Sequence, residues 1–143
     1  MTSTFFSWGE IDNAIVRIIK RLSDIDFQPD VILGISRGGL IPAVKLSNVL
    51  GVPLKVAECS TYQDKKKVRR AAVQLDIAAY HLKKILVVDD IIDTGDTMEA
   101  ISDALYGENY FIATLVNKID IDSENIFSVK EEKPDTWVCF AWD

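Results

Sequence analysis

A run of acidic, hydroxyl and glycine residues follows an apolar segment in the second half of the chain. Residues 85–88 are apolar and predict a buried strand, and two adjacent carboxylates, Asp89 and Asp90, come directly after them. Residues 93–97 then predict a tight turn, and an amphipathic helix pattern follows. A strand that leads through a turn into a helix N-terminus is a binding position for phosphorylated ligands in open α/β sheets, because free N–H groups and the helix dipole attract the anion.

The residues of this segment differ in what they can bind. Two adjacent carboxylates repel phosphate, so Asp89 and Asp90 are suited to ribose hydroxyls or to a hydrated Mg²⁺ ion. Asp93 lies inside the phosphate-binding turn, where a carboxylate is unfavourable, and this makes it a candidate for accepting or holding a proton. An ordinary acidic helix cap explains Asp93 but not the carboxylate pair at the end of a buried strand. The phosphate donors in the turn are the N–H groups and hydroxyls of Thr94, Gly95, Asp96 and Thr97.

A second candidate anion site follows the first apolar strand of the chain. Arg37, Gly38 and Gly39 combine a fixed cation with backbone N–H groups that glycine leaves accessible. The glycine spacing is that of a P-loop, but Leu40 and Ile41 stand where that motif needs Lys and Ser or Thr, so a nucleoside triphosphatase is disfavoured. A plain glycine-rich turn between a strand and a helix is the alternative interpretation.

Composition limits the function classes. The 143 residues suffice for one domain with a hydrophobic core, and the net charge of −6 disfavours general binding to nucleic acid. Cys59 and Cys139 lack the spacing of a metal or redox site. The chain has no apolar run long enough to span a membrane and no secretory signal pattern, so we expect a cytoplasmic location.

Hydrophobic periodicity predicts an α/β fold with a central parallel sheet that helices cover on both faces. Ser7 and Glu10 form a capping-box pattern before the first helix, and Gly51 and Gly107 are expected to follow the ends of the next two helices. The apolar segments that predict strands are 31–35, 53–59, 71–75, 84–89 and 111–116.

Two segments lack a clear apolar period. Residues 60–70 are polar and basic and predict an exposed loop. Residues 119–135 are acidic and irregular, with one short strand candidate at 126–129.

The segment at 87–97 resembles the 5-phosphoribosyl-1-pyrophosphate (PRPP) binding motif of the type I phosphoribosyltransferases. The resemblance implies that Asp89 and Asp90 hold the ribose hydroxyls, that Asp90 lies close to Mg²⁺, and that residues 93–97 wrap the 5′-phosphate. It also implies the fold of that family, a single domain over residues 1–143 with a central parallel sheet flanked by helices and a small hood formed by the chain termini. The C-terminal part of the hood would be about residues 119–143. The pyrophosphate contacts would come from Arg37 and Gly38.

The C-terminal segment around Trp137 resembles the small bacterial xanthine-guanine phosphoribosyltransferases. The resemblance implies that Trp137 stacks on a purine and that the main chain of Val138 reads the ring edge. It implies that Lys118 donates to the exocyclic O6 of the purine and that Asp93 faces N7. The alternatives are that Trp137 is a core residue and that Lys118 is a solvated strand end.

The basic run that ends at Arg70 matches, in position, the mobile loop that closes over the reaction centre in this family, here about residues 60–70. Arg69 is the residue we expect to contact pyrophosphate, and Lys67 and Arg70 stay open as alternatives. A solvated charged loop is the other interpretation for most of these residues.

The resemblance thus implies a glycosyltransferase of purine salvage that moves phosphoribosyl from PRPP to N9 of a 6-oxopurine (xanthine, guanine or hypoxanthine). The products would be a nucleoside 5′-monophosphate and pyrophosphate, with Mg²⁺ as cofactor and a homo-dimer or homo-tetramer as the assembly by analogy. Two alternatives stay open: a nucleotide-sensing regulatory protein with the same fold, and a family member that acts on another base.

Overall fold

The architecture is that of an α/β protein in which helices cover both faces of a mostly parallel sheet. The computed structural model describes residues 2–63 and 69–143. In chain order the elements are β1 (Ser3–Phe6), α1 (Trp8–Asp24), β2 (Val31–Ser36), α2 (Leu40–Leu50), β3 (Leu54–Gln63), β4 (Arg69–Gln74), a 3₁₀ turn (Ile77–Tyr80), β5 (Lys84–Ile92), α3 (Asp96–Ala104), β6 (Asn109–Asn117), β7 (Ile126–Glu131) and β8 (Trp137–Phe140).

The main sheet has the strand order β4-β3-β2-β5-β6-β7 within the described residues. All neighbouring strands in it are parallel except β3 and β4, which are antiparallel. Strands β2 and β5 occupy the middle of the sheet, so every residue of their apolar segments is buried. The predicted central parallel sheet is confirmed, with one antiparallel strand at its edge.

Alternation along the strands sends neighbouring side chains to opposite faces of the sheet. Ile32, Leu86 and Val88 join α1 and α2 in one apolar cluster. On the other face, Leu33 and Val87 pack with α3 and the 3₁₀ turn. The helices therefore pack on both faces of the sheet and help to fix where each strand ends.

The two terminal segments of the chain meet in a separate two-stranded sheet. Strand β1 pairs in parallel with β8, from Ser3 opposite Trp137 to Phe6 opposite Phe140. The rings of Phe6 and Phe140 lie 5.6 Å apart, and Phe140 stacks on Trp142 at 4.6 Å. The apolar pattern at the N-terminus is too short to predict β1, which exists because β8 pairs with it. The pairing agrees with the expected hood of chain termini.

Three expected boundaries differ from the structure. Residues 60–63 and 69–70, expected in an exposed loop, belong to β3 and β4, because the two strands pair from Glu58 opposite Gln74 to Gln63 opposite Arg69. Strand β5 continues past the two carboxylates to Ile92 because β6 pairs with it as far as Asn117. Strand β7, within the segment expected to belong to the hood, pairs with β6 and extends the main sheet.

No helix in the described part of the chain combines the length and the apolar character required to cross a bilayer.

The capping box at the start of α1 is confirmed. The N–H of Glu10 donates to Ser7 Oγ at 3.1 Å, and the N–H of Ser7 donates to Glu10 Oε1 at 3.4 Å. Each side chain thereby satisfies a backbone group that the helix itself leaves unpaired.

Ser7→Ala removes this cap, so we expect it to lower the free energy of unfolding by about 1 kcal/mol. Urea denaturation followed by circular dichroism measures the change. Ser7→Thr keeps the oxygen acceptor and is the matched control. An equal loss in both variants would contradict the assigned role of the hydroxyl.

Candidate functional site

The candidate residues converge because three neighbouring parallel strands end at the same edge of the sheet. β2 leads into the loop at Arg37, β5 leads into the turn at Asp93, and β6 ends immediately before Lys118. In an open α/β sheet the carboxyl ends of the strands are the usual ligand-binding edge. The order β2-β5-β6 therefore places the two anion-binding loops and the lysine side by side.

Asp89 is a buried carboxylate in a central strand, with 7% of its surface exposed. One of its oxygens accepts the N–H of Asp90 at 2.8 Å. Burial, reinforced by the neighbouring carboxylate of Asp90, raises the pKa of Asp89 to about 8. A carboxyl group that is costly to ionise in the free protein favours a ligand that compensates its charge or donates hydrogen bonds to it.

Asp90 is half-buried and faces the loop that follows β2. Its Oδ1 accepts the N–H of Ile91 at 2.8 Å. Burial raises the pKa of Asp90 as well. A Cβ on Gly38 would overlap Asp90 Oδ2, so only glycine fits at position 38 with this carboxylate in place. The candidate anion site at Arg37 is therefore in direct contact with the carboxylate pair through Gly38 and Asp90.

Gly39 is the second glycine that the packing requires. A Cβ there would lie 2.5 Å from the carbonyl oxygen of Val88 and 2.7 Å from that of Ile35. Backbone atoms cannot move aside as the end of a flexible side chain can, so the loop at Arg37 is pressed against the edge of β5. A cis peptide bond joins Ser36 to Arg37, and the Arg37 side chain is exposed.

The turn after β5 forms a concave surface at the N-terminus of α3. Residues 89–98 line a cavity of about 220 Å³. Gly95 has a φ of +91°, which glycine adopts without strain, and α3 begins at the next residue. The N–H of Asp96 donates to Thr94 Oγ1 at 3.4 Å. The turn and Thr97, in the first turn of α3, thus lie at a helix N-terminus, and the binding of an anion there stays a prediction.

Lys118 and Asp93 pair with each other across this edge. Lys118 Nζ lies 3.5 Å from Asp93 Oδ1, and the exposed fractions of the two side chains are 10% and 65%. The N–H of Lys118 donates to the carbonyl of Ile92 at 2.9 Å, which ties the end of β6 to the end of β5. The cation and the exposed carboxylate therefore lie side by side, and their expected binding of a base stays a prediction.

Trp137 and Val138 lie in β8, within the hood. Trp137 is 61% exposed, so the alternative interpretation of this residue as part of the core is wrong. Its N–H donates to the carbonyl of Thr2 at 2.7 Å, which fixes the start of β8. Val138 is half-buried against the cluster beneath α1 and α2. An exposed indole on a strand that backbone pairing holds in place is available for stacking.

The basic segment is described only in part. Arg69 and Arg70 begin β4, where they pair with Gln63 and Tyr62, but their side chains lie outside what the structure describes. Lys67 lies outside the described residues. The expected pyrophosphate contact of Arg69 therefore stays a prediction.

Two residues that sequence reasoning passed over touch the site. Cys59 Sγ, on β3, donates to Thr97 Oγ1 at 3.6 Å, which links the third strand to the first turn of α3. Asn117, the last residue of β6, is buried, and its side-chain amide forms hydrogen bonds with the N–H and the carbonyl of Ile119. For Asn117 the signal was present: a polar amide ends an otherwise apolar run. For Cys59 nothing in the spacing of the two cysteines indicated a contact.

The oxygen donors of Asp90 would fit a Mg²⁺ ion. Among the described residues no three ionisable side chains come together as a metal cluster. Mg²⁺ typically takes only one or two carboxylates and completes its octahedron with water and substrate phosphates, so a dedicated cluster is unnecessary. Asp90 Oδ2 faces Gly38, in the loop that follows β2. The carboxylate oxygens of Asp89 and Asp90 are the type of ligand that a hard cation such as Mg²⁺ prefers.

Two larger cavities lie at the amino ends of the strands, on the opposite edge of the sheet. One, of about 380 Å³, adjoins the C-terminal part of α1 and the residues before β2. The other, of about 480 Å³, adjoins the residues before β6 and β7. Neither contains any of the candidate residues named above.

Comparison with known proteins places the chain in one family. The family model described as "Phosphoribosyl transferase domain" matches residues 7–143. The chain is 31% identical to a xanthine-guanine phosphoribosyltransferase of Idiomarina loihiensis, over 97% of this chain and 86% of that protein.

Solved structures give the same result. A purine phosphoribosyltransferase from Pyrococcus horikoshii is similar with a TM-score of 0.80 and 31% identity, over 100% of this chain and 95% of that one. A xanthine-guanine-hypoxanthine phosphoribosyltransferase from Helicobacter pylori shares the fold with a TM-score of 0.77 at 20% identity, over 98% of this chain and 93% of that one.

The raised pKa of Asp89 predicts how stability depends on pH. The folded state keeps the proton to about pH 8, whereas the unfolded chain releases it near the ordinary aspartate pKa of 3.8. The stability that Asp89 contributes is therefore complete below about pH 4 and is lost as the pH rises toward 8. Asp89→Asn keeps the acceptor for the N–H of Asp90 without a charge.

We expect Asp89→Asn to unfold at higher urea concentration than the wild type at pH 7.5, by about 1 kcal/mol or more, and to match it near pH 4. Denaturation in the presence of a chelator measures this. Asp103→Asn, an exposed change of the same type in α3, is the matched control. A destabilised Asp89→Asn at pH 7.5 would contradict the burial cost.

Proposed function

The chain belongs to the phosphoribosyl transferase family, and from that premise we propose that it transfers phosphoribosyl from PRPP to N9 of a 6-oxopurine. Xanthine, guanine and hypoxanthine are the candidate acceptors, and a nucleoside 5′-monophosphate and pyrophosphate are the products. The chain would act in purine salvage. The names of similar proteins support this substrate class, since those proteins are xanthine-guanine and purine phosphoribosyltransferases.

The observation that carries the proposal is the 3.5 Å pair of Lys118 Nζ and Asp93 Oδ1. In the N7–H tautomer of a 6-oxopurine, a hydrogen-bond donor at N7 stands beside an acceptor at O6. A carboxylate beside an ammonium group offers the complementary acceptor and donor at a similar spacing. Adenine presents an amino group at C6, which would point its hydrogens at the lysine cation. The pair therefore favours a 6-oxopurine over adenine.

The proposed reaction breaks the bond from C1′ to the pyrophosphate oxygen and forms the bond from C1′ to N9. Asp93 accepts the N7 proton as N9 attacks, so the base becomes the better nucleophile at the moment it is needed. Lys118 stabilises the O6 end of the ring while N7 loses its proton. Thr94, Gly95, Asp96 and Thr97 hold the 5′-phosphate and fix the sugar relative to the base.

The leaving pyrophosphate is held at the neighbouring loop. Arg37 and the N–H of Gly38 bind it, with Arg69 as the proposed contact from the segment at 60–70, which would close over the site and exclude water. Asp89 and Asp90 bind the ribose hydroxyls, and Asp90 would also hold Mg²⁺. The ion, when bound, supplies positive charge to the pyrophosphate oxygens.

Trp137 stacks on the purine in this proposal, and the main chain of Val138 reads the ring edge. The exposed indole on β8 supports the role of Trp137, because it offers a flat apolar surface for stacking. We further propose a single catalytic domain over residues 1–143, a cytoplasmic location, and a homo-dimer or homo-tetramer by analogy with the family. Size-exclusion chromatography with light scattering tests the assembly.

The direct test is an assay with PRPP, Mg²⁺ and one base at a time. Guanine, xanthine and hypoxanthine are the expected acceptors, and adenine and uracil are the comparison bases. Nucleoside monophosphate formed from at least one 6-oxopurine supports the proposal. Preference for adenine would overturn the assignment of Lys118, and no product with any base would favour a nucleotide-sensing regulator.

Asp93→Asn removes the proton acceptor but keeps the size of the side chain. We expect kcat to fall by about 10²-fold or more, the usual range for a general acid–base group. Steady-state kinetics with a saturating 6-oxopurine measures the change. Asp103→Asn, on the exposed side of α3, is the matched control. Unchanged turnover in Asp93→Asn would remove Asp93 from the chemistry.

Trp137→Ala removes the stacking surface. We expect KM for the base to rise by about 10-fold or more, with a smaller effect on KM for PRPP, because a stacked base contributes about 1–3 kcal/mol. Tyr106→Ala removes another exposed aromatic ring, 90% exposed, from a turn outside the candidate site. Equal shifts of both Michaelis constants in Trp137→Ala would speak against stacking.

A further inference from the structure

Asn117 is a buried amide at the edge of the candidate site. It ends β6 and is 4% exposed, directly before Lys118. A side-chain amide removed from water costs free energy unless it finds hydrogen-bond partners, so its contacts identify what it holds.

The side-chain amide of Asn117 forms hydrogen bonds with both backbone polar groups of Ile119. Its Oδ1 accepts the N–H of Ile119 at 3.0 Å, and its Nδ2 donates to the carbonyl of the same residue at 2.6 Å. Nδ2 also donates to Glu131 Oε2 at 3.0 Å, across the pairing of β6 with β7. Both amide hydrogens and the oxygen are therefore used, and the direction of the chain through residues 117–119 is fixed.

The short segment 117–119 touches the loop 92–95 in three places. The N–H of Lys118 donates to Ile92, and Lys118 Nζ pairs with Asp93. Ile119 Cδ1 lies 2.9 Å from the position of a Cβ on Gly95, so the Ile119 side chain packs closely against that glycine. The segment thus contacts both the proposed base-binding pair and the proposed phosphate turn.

We propose that Asn117, held by Glu131, is a positioning residue that sets Lys118 and Ile119 against the loop 92–95. This inference rests on the proposed function, in which Lys118 binds the 6-oxo group. Through Lys118 the amide aligns the base, and through Ile119 it supports the turn at Gly95 that holds the 5′-phosphate. The site for the base and the site for the phosphate share this one support.

The chemistry of the contacts requires an amide at position 117. A carboxylate has no hydrogen to donate, so Asn117→Asp would set an acceptor against the carbonyl of Ile119 and a like charge against the carboxylate of Glu131. An apolar residue would leave the N–H and carbonyl of Ile119 without their partner. A glutamine at position 131 would keep an acceptor for Asn117, and it would supply a donor to an aspartate introduced at position 117.

Four variants test the proposal. We expect Asn117→Ala to lower kcat/KM for a 6-oxopurine by about 10- to 100-fold, because misplacing a binding group by about 1 Å costs this much. Asn117→Asp lowers kcat/KM at least as much. Adding Glu131→Gln to Asn117→Asp recovers part of the lost kcat/KM. Glu131→Gln alone stays close to wild type, and Asn48→Ala, an exposed change in α2, is the control for general effects.

A double-mutant cycle with Lys118 distinguishes a positioning role of Asn117 from a general loss of protein stability. If Asn117 acts through Lys118, Asn117→Ala lowers kcat/KM much less in a Lys118→Met background than in the wild type. Fully additive losses would overturn the assigned action of Asn117 on Lys118, and hydrogen exchange at Ile119 tests the other contact. Circular dichroism and thermal unfolding establish that each variant is folded before it is compared.

Amide hydrogen exchange of Ile119 needs no substrate. We expect exchange at this N–H to become at least about 10-fold faster in Asn117→Ala and to stay slow in Glu131→Gln, because the acceptor is lost only in the former. Unchanged protection of Ile119 would overturn the proposal. A wild-type protein that converts no 6-oxopurine would overturn the proposed function, and the exchange rates would still decide whether Asn117 holds the segment.

Discussion

Two adjacent carboxylates lie in the central strand of the sheet, where β2 and β6 flank β5 on both sides and water is largely excluded. The rest of the site adapts to them. A Cβ on Gly38 would overlap the Asp90 carboxylate, so the glycine lets the loop that carries Arg37 approach this carboxylate closely. Burial also raises the pKa of both carboxyl groups, so ionising them in the free protein costs free energy. Sugar hydroxyls and a cation would reduce that cost.

The second organising feature is opposite charge at the edge of the sheet. Lys118 is nearly buried, and its partner Asp93 is exposed, so the carboxylate remains accessible while the cation is held in place. The position of Lys118 depends on β6 ending at the same height as β5, and on Asn117 at that end. The register of the sheet thus fixes the spacing of two groups that are distant in the sequence.

Much of this arrangement was predictable because local patterns coincide with the tertiary ones. The capping box at Ser7, the left-handed residue at Gly51 and the buried strand ahead of Asp89 all depend on short-range hydrogen bonding or on apolar periodicity. Strand β1 and the extension of β3 were not predictable in this way. β1 exists because the remote strand β8 pairs with it, and β3 is extended because β4, the next strand, pairs with it. Neither segment has an apolar pattern strong enough to predict a strand.

The sequence by itself determined the central strands, the helices and the chemical types at their ends: two carboxylates after an apolar run, a turn rich in donors, and an arginine before two glycines. These features are local, so the order of residues specifies them. Only the tertiary structure decided that Gly38 touches Asp90, that Trp137 is exposed on β8, and that Lys118 meets Asp93 at 3.5 Å. Those distances follow from strand order, register and packing, which join residues that no local pattern connects.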